Sequence, residues 1–147
     1  MLIGFGFIMA FSKSFSWSVI GFTFFISAIT PQLYVLLSAF WKRVLVEGFH
    51  GHNYYIYVNE STFTLGLYCA ASMLVSIGCT IGRVGPLEVV ILSLVHSVVY
   101  TLNEVICVDL IGGFDVGGST IVHVFGTYAG LATSLILSRI SKPTKKA

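Results

Sequence analysis

Charged side chains are scarce in this sequence, and that scarcity excludes most classes of soluble protein. Only 10% of its 147 residues are Asp, Glu, Lys or Arg, whereas 56% are hydrophobic and 14% are aromatic. The formal net charge is +2, so no strongly basic surface points to a nucleic-acid partner. With a mean hydropathy of +0.92, the composition is typical of a membrane protein.

Motifs for redox, metal or nucleotide chemistry are also missing. The three cysteines, Cys69, Cys79 and Cys107, lie in apolar stretches without CxxC or His-Cys spacing. We interpret them as small buried hydrophobes rather than disulfide or metal ligands. No GxxxxGK[ST] motif occurs, so nothing indicates a nucleotide-driven pump. No pattern places a nucleophile beside a base, and we expect neither an enzyme nor a cofactor.

Long apolar runs are what the sequence does contain. A hydrocarbon core about 30 Å thick requires roughly 20 apolar helical residues, because no backbone polar group can stay unpaired in lipid. Four stretches have that length: 17–40, 62–82, 86–108 and 119–137. Residues 1–11 supply about half a span. We therefore predict an all-α, polytopic membrane helix bundle over residues 1–138, with about five transmembrane segments, the first truncated.

The charges at the ends of these spans predict their orientation, because Lys and Arg are retained on the cytoplasmic side. One set of ends holds Lys13, Arg83, Arg139, Lys142, Lys145 and Lys146. The other set holds Lys42, Arg43, Glu47, Glu60, Asp109 and Asp115. We therefore place the basic tail, residues 139–147, in the cytoplasm and the Asp115 link outside. Asn59-Glu60-Ser61 is then a glycosylation acceptor on the permitted side.

Small residues and one proline predict how the spans pack. Gly78 with Gly82, and Gly126 with Gly130, stand four residues apart, the interval that lets helices approach closely. We give these pairs a structural role. Pro31 falls within the first complete span and predicts either a kink or a site of helix packing.

A histidine inside the last apolar run is the strongest sign of function. His123 is flanked by Val122 and Val124, so we expect it below the lipid headgroups, where burial favours the neutral ring. A neutral imidazole has one donor and one acceptor. It can serve as an interhelical hydrogen-bond partner, a proton relay or a lining group for a small polar solute. Taken alone, the residue favours the structural partner.

Two acids lie near the predicted outer ends of spans. Asp115 precedes Ser119 in a link that contains Gly117 and Gly118, whose backbone freedom permits a turn. We expect the Asp115 carboxylate to bind the first amides of the following helix, and also to create a negative potential that favours an arriving cation. Glu104 is costly in a membrane unless it is paired, so we expect it to bond backbone groups or a neighbouring helix.

The segment Asp115-Val-Gly-Gly-Ser-Thr-Ile-Val-His123-Val-Phe-Gly-Thr-Tyr-Ala-Gly-Leu131 resembles the signature of the Rhesus glycoprotein branch of the ammonium transporter family. Further matches follow in order, at Gly4-Phe-Gly-Phe-Ile-Met9, Val19-Ile-Gly-Phe22 and Leu102-Asn-Glu104. The resemblance covers nearly the whole chain. It implies one half of an inverted-repeat ammonium transporter fold, and we expect the chain to correspond to the first repeat.

The resemblance also implies a function. Family members conduct ammonia or ammonium across the plasma membrane as trimers, through a narrow hydrophobic pore that two histidines line midway. His123 matches the first of these histidines, and Tyr68 takes the position of a phenylalanine that closes the outer pore mouth. We therefore expect His123, Tyr68 and Asp115 to face the pore. The implied partners are ammonia or ammonium, the lipid bilayer, and further copies of the chain or related subunits.

Two alternatives stay open. A non-transporting membrane scaffold of the Rhesus type is consistent with a tyrosine at the gate, while retention of His123 opposes it. Conduction of carbon dioxide is the other. His96 has no counterpart in the family, so we interpret it as a packing residue, and we expect His50 and His52 to be solvent-exposed in the outer loop.

Overall fold

Helices make up the regular structure of the described chain. The computed structural model describes residues 2–4, 6, 18–47 and 56–140, and this part contains no strand. Its four long helices are α1 (Ser18–Lys42), α2 (Glu60–Gly78), α3 (Pro86–Glu104) and α4 (Phe125–Ile140). π-Helical segments follow α1 at Arg43–Glu47 and α3 at Val105–Leu110, and another, Ser119–Val124, leads into α4 after a 3-10 turn at Val116–Gly118.

Four helical stretches are long and apolar enough to cross a bilayer: Ile20–Val46, Glu60–Gly78, Pro86–Leu110 and Val116–Arg139. They correspond to the four full-length spans predicted from the sequence, so the all-α, polytopic bundle is confirmed. Most of the predicted half-span at residues 1–11 lies outside the described residues, as do His50, His52 and the tail after residue 140.

The second span ends earlier than the sequence indicated. α2 ends at Gly78, and residues 79–83 form a turn. Gly82 lies in that turn with φ of 78°, a left-handed conformation that favours glycine. The predicted packing pair of Gly78 with Gly82 is therefore wrong, because the two residues do not share a helix and Gly78 is exposed.

Helices that are not consecutive in the chain also pack together. α1 contacts both α2 and α3, and α2 contacts α4. One apolar cluster comprises Ile26, Met73, Leu74, Ile77 and Val89. A second cluster comprises Tyr34, Cys69 and Tyr100, with Phe125 packed against it. This second cluster joins α1, α2 and α3 to the start of α4.

Pro31 is a packing residue. α1 is helical without interruption from Ser18 to Lys42, although Pro31 lies inside it. Pro31 is buried where α1 meets α2, and a Cβ atom added to Gly66 would lie 3.2 Å from the Pro31 Cα atom. Of the two roles predicted for Pro31, helix packing is therefore the one observed.

Close approach of α4 to α2 occurs at two glycines. A Cβ atom at Gly126 would lie 2.7 Å from the Ser72 carbonyl oxygen, and one at Gly130 would lie 2.8 Å from the Ser76 carbonyl oxygen. Real Cβ atoms do not come this close to backbone, so a larger residue would force the helices apart. These contacts determine where α4, and with it His123, lies relative to α2.

Candidate functional site

A cavity of about 300 Å³ opens at the end of the bundle where α1 ends and α2 begins. It brings together side chains that are far apart in the sequence. The lining residues are Lys42, Leu65, Tyr68, Tyr100, Glu104, Val108, Asp109, Gly113, Phe114, Asp115, Gly117, Gly118, Ile121 and Val122. Tyr68 and Asp115, two of the expected pore residues, thus share one cavity with Glu104. We call this the vestibule cavity.

Asp115 organises the link into α4. Its carboxylate accepts hydrogen bonds from the Ser119 hydroxyl at 2.9 Å and from the Thr120 and Ile121 amides at 3.0 and 2.8 Å. These amides belong to the first turn of the π-helical segment, where they have no partner within the helix. The observed bonds match the predicted binding of the first amides by this carboxylate.

These bonds also affect the ionisation of Asp115. The bond from the Ile121 amide, helped by those from Ser119 and Thr120, lowers the pKa of Asp115 below its ordinary value of 3.8. Each of these bonds stabilises the charged form of the carboxylate. Asp115 is therefore a fixed negative charge at the wall of the vestibule cavity at neutral pH.

The turn before α4 depends on two glycines in left-handed conformations. Gly117 and Gly118 have φ values of 79° and 72°, which residues with a side chain rarely adopt. At Gly118 a Cβ atom would also lie 2.7 Å from Val122 Cγ2. The double glycine lets the chain fold back so that the Asp115 carboxylate reaches the helix start.

Glu104 faces a residue of another helix. Tyr34 of α1 lies close to the Glu104 carboxylate and interacts with it. The Glu104 Oε2 atom is buried and has no hydrogen-bond partner among the described residues. Glu104, one of the acids that line the vestibule cavity, therefore has an oxygen that can accept a further hydrogen bond.

A basic residue lies at the same cavity. Lys42, the last residue of α1, forms an ion pair with Asp109, with 3.6 Å between Nζ and Oδ2. The side chains of Lys42 and Asp109 are 48% and 29% exposed. The sequence had placed both residues at the same membrane face, but gave no indication that they meet.

Tyr68 presents part of its side chain to the vestibule cavity. It is 40% exposed, and it lies one residue before the buried Cys69 of the second apolar cluster. Tyr100 also lines the cavity, and two further aromatic rings pack against it. Tyr100 contacts Phe125 edge to face, with 5.6 Å between ring centroids, and Tyr34 at 6.4 Å. An accessible aromatic face beside carboxylates is a suitable surface for a small cation.

His123 does not line the vestibule cavity, and the described helices leave it exposed. It is exposed, while the preceding Val122 is buried at 5% exposure. The His123 carbonyl accepts a hydrogen bond from the Thr127 hydroxyl at 2.8 Å. No described residue hydrogen-bonds its ring, so the interhelical partner that we favoured from the residue alone is not found in the described part of the chain.

His96 is instead the histidine with hydrogen-bonded partners. It is 4% exposed, and its Nε2 and Nδ1 atoms lie 3.1 and 3.4 Å from the hydroxyls of Ser72 and Ser76 on α2. The Ser76 hydroxyl donates a 2.7 Å hydrogen bond to the Gly126 carbonyl of α4. His96 is thus a packing residue, as interpreted, but one that joins three helices. Two serines four residues apart on an apolar helix were the signal for this network.

Asn59 has a role that its acceptor motif did not indicate. Its side-chain oxygen accepts hydrogen bonds from the Thr62 amide and hydroxyl, both at 2.8 Å, and so caps the start of α2. The residue is exposed, as an acceptor asparagine must be.

In the described part of the chain, no three His, Cys, Asp or Glu side chains lie together as metal ligands would.

Comparison with known proteins identifies the family. The whole chain, residues 1–147, matches the Ammonium Transporter Family. Over 139 residues it is 35% identical to "Ammonium transporter Rh type B" of Mus musculus, and 37% identical to the proteins of that name from Rattus norvegicus and Sus scrofa. These alignments cover 95% of this chain and 29% of each relative. No solved structure matches the chain. With four helices long enough to span a bilayer, it is a multi-pass membrane protein, and it belongs to the Ammonium Transporter Family.

Proposed function

We propose that this chain forms part of a membrane conduit for ammonia or ammonium. Family membership and the similarity to proteins named Ammonium transporter Rh type B support this activity. The chain spans 29% of the mouse relative, so the proposal concerns these residues acting together with the remainder of such a protein. The observation that carries it is the convergence of Tyr68, Asp115 and Glu104 on one cavity.

The vestibule cavity would recruit the cation. Ammonium donates hydrogen bonds in all directions to water, and an apolar passage cannot replace them. Carboxylates and an aromatic ring can offset part of this cost, through negative potential and the face of the ring. Neutral ammonia loses far less on entering lipid-like surroundings. These side chains favour two successive steps. The cation is recruited at the cavity, and ammonia or ammonium then passes beyond it.

His123 would line the passage beyond the cavity. Its exposed ring follows directly after Val122, a residue of the cavity wall. A surface formed by another part of the protein could therefore pack opposite this ring. A neutral imidazole there can accept a proton from ammonium, or hold ammonia through its donor or its acceptor. Donor and acceptor geometry, together with pore width, would determine selectivity.

We also propose passive transport in the plasma membrane, by a homotrimer or an assembly with related subunits. The family is a transporter family rather than an enzyme family, and we propose no catalytic chemistry for this chain. The bilayer is the remaining partner, and it would contact the large apolar side chains, such as Phe24, Leu36 and Ile91, that the described helices leave exposed.

Liposome flux tests this proposal. The chain, joined to the remaining sequence of the rat relative, is reconstituted with a pH dye inside the vesicles. An ammonium gradient should alkalinise the interior faster than in protein-free vesicles, and His123→Ala should change the rate. Leu131→Ala, at another exposed position of the same membrane span, is the control and should not change the rate.

Flux equal to that of protein-free vesicles would contradict the proposal and favour the scaffold. A carbon dioxide gradient applied to the same vesicles gives the third comparison. Faster acidification than in protein-free vesicles, without any ammonium response, would favour carbon dioxide conduction instead.

A further inference from the structure

Lys42 places a primary ammonium group in the wall of the vestibule cavity. Its head group is an alkylammonium ion, and so belongs to the same chemical class as the cation that the cavity is proposed to recruit. It faces the same acids, because it pairs with Asp109 at 3.6 Å and attracts Glu104 electrostatically. The position and the charge of this side chain therefore bear directly on the entry of a cation.

The pair with Asp109 does not immobilise Lys42. A separation of 3.6 Å exceeds the roughly 2.7–2.9 Å of a charge-assisted hydrogen bond. Exposed pairs of this kind contribute little net free energy, since water screens them and two flexible side chains must be ordered. The four-carbon stem of lysine allows the amine to move between acids within its reach.

Glu104 is the acid for which Lys42 and an arriving cation would compete. Both oxygens of Asp115 already accept hydrogen bonds from Ser119, Thr120 and Ile121. The Oε2 atom of Glu104 lacks a hydrogen-bond partner among the described residues. Glu104 also lines the cavity, so its carboxylate would attract an ammonium ion that enters.

We propose that Lys42 is a tethered competitor of the substrate cation. Its amine raises the potential of the vestibule cavity and competes for Glu104, so it sets the concentration at which ammonium fills the cavity. This inference rests on the proposed function. The inference adds Lys42 as a residue that weakens cation recruitment, although it lies among residues that strengthen recruitment.

Binding of methylammonium tests the inference on the chain itself. The purified chain in lipid nanodiscs is titrated with methylammonium at constant ionic strength, with N-methylglucamine as the balancing cation. Saturation-transfer NMR of the methyl group reports binding. Lys42 would place a unit charge a few ångströms from the bound cation. At an effective dielectric constant between those of a protein surface and water, removal of that charge changes the dissociation constant by roughly three- to tenfold. We expect Lys42→Met and Lys42→Gln to bind more tightly by that factor.

Two variants serve as controls. Lys42→Arg keeps the charge, and Arg83→Met removes one positive charge from the turn between α2 and α3, at the other end of the helices. Both should bind within about twofold of wild type, because separation and screening weaken distant charges. Circular dichroism verifies the helix content of each variant.

The outcomes separate the two proposals. Tighter binding in both uncharged variants, with neither control changed, supports the inference. Equal binding by wild type, Lys42→Met and Lys42→Gln overturns it while leaving cation recruitment intact. An equal gain in Arg83→Met also overturns it, because net charge would then be the cause. No methylammonium signal in any variant overturns both this inference and the recruitment step of the proposed function.

Discussion

The Nε2 atom of His96 lies 3.1 Å from the Ser72 hydroxyl, across the interface of α3 with α2. Because the ring is buried, its loss would leave the Ser72 hydroxyl without this partner. We expect His96→Ala to lower the free energy of unfolding by about 1–3 kcal/mol. His96→Gln, which can still donate and accept, should lose less. Unfolding in mixed detergent micelles measures both.

A double-mutant cycle isolates the bond from the packing. Interhelical hydrogen bonds in membranes average about 0.6 kcal/mol and reach about 1.7. His96→Ala combined with Ser72→Ala should therefore show a coupling in that range. Strict additivity of the two substitutions would contradict a bond between them.

Glycine substitutions should separate close packing from helix propensity. Gly126→Ala would place a Cβ atom 2.7 Å from the Ser72 carbonyl oxygen, and we expect it to destabilise the protein by about 1–3 kcal/mol. Gly21→Ala is the matched control, because nothing lies within 4 Å of its added Cβ atom. That substitution should be neutral or stabilise α1 by up to about 1 kcal/mol. Equal effects at the two positions would contradict the close approach of α4 to α2.

Acidification should weaken the start of α4 through Asp115. Its pKa is lowered in the folded protein, so folding favours the charged carboxylate. The stability that this provides is complete above the ordinary value of 3.8 and is lost as the pH falls through the lowered folded value. We expect Asp115→Asn to be less stable than wild type at neutral pH, and the difference to shrink in acid.

Thermal unfolding followed by circular dichroism between about pH 2 and pH 6 measures this change. Ser119→Ala removes one of the bonds to Asp115, and should produce a smaller change of the same sign. A constant difference between wild type and Asp115→Asn over that range would show that the carboxylate charge has no part in the turn.

Asn59 should have separable roles in capping and in glycosylation. Asn59→Ala removes the bonds to Thr62 and should cost about 1 kcal/mol of stability. Asn59→Asp keeps a capping oxygen but abolishes the Asn-Glu-Ser acceptor, so it should retain the stability. In a microsome assay, wild type alone should gain mass that a glycosidase removes. That result would place the Asn59 end of α2 on the outer side of the membrane. Equal stability of all three proteins would contradict the cap.

Local features of the site could be predicted where neighbouring residues determine them. The double glycine and Asp115 lie within a few residues of the amides they serve, so the turn into α4 followed from local chemistry. Tyr68 and Asp115 could be assigned to one cavity only through the family resemblance. The contacts of Lys42 and Tyr34, and the capping role of Asn59, were missed because composition does not reveal them.

The sequence by itself determined that the chain is a bundle of membrane-spanning helices, because lipid offers no partners for backbone groups and the long apolar runs leave no other structure. Only the tertiary structure decided which side chains meet: Tyr34 with Glu104, Lys42 with Asp109, and His96 with the serines of α2. The physical reason is that a helix apolar on all sides has no polar face to indicate its rotation. That rotation depends on close contacts such as those at Gly126 and Gly130, which exist only once two helices are packed together.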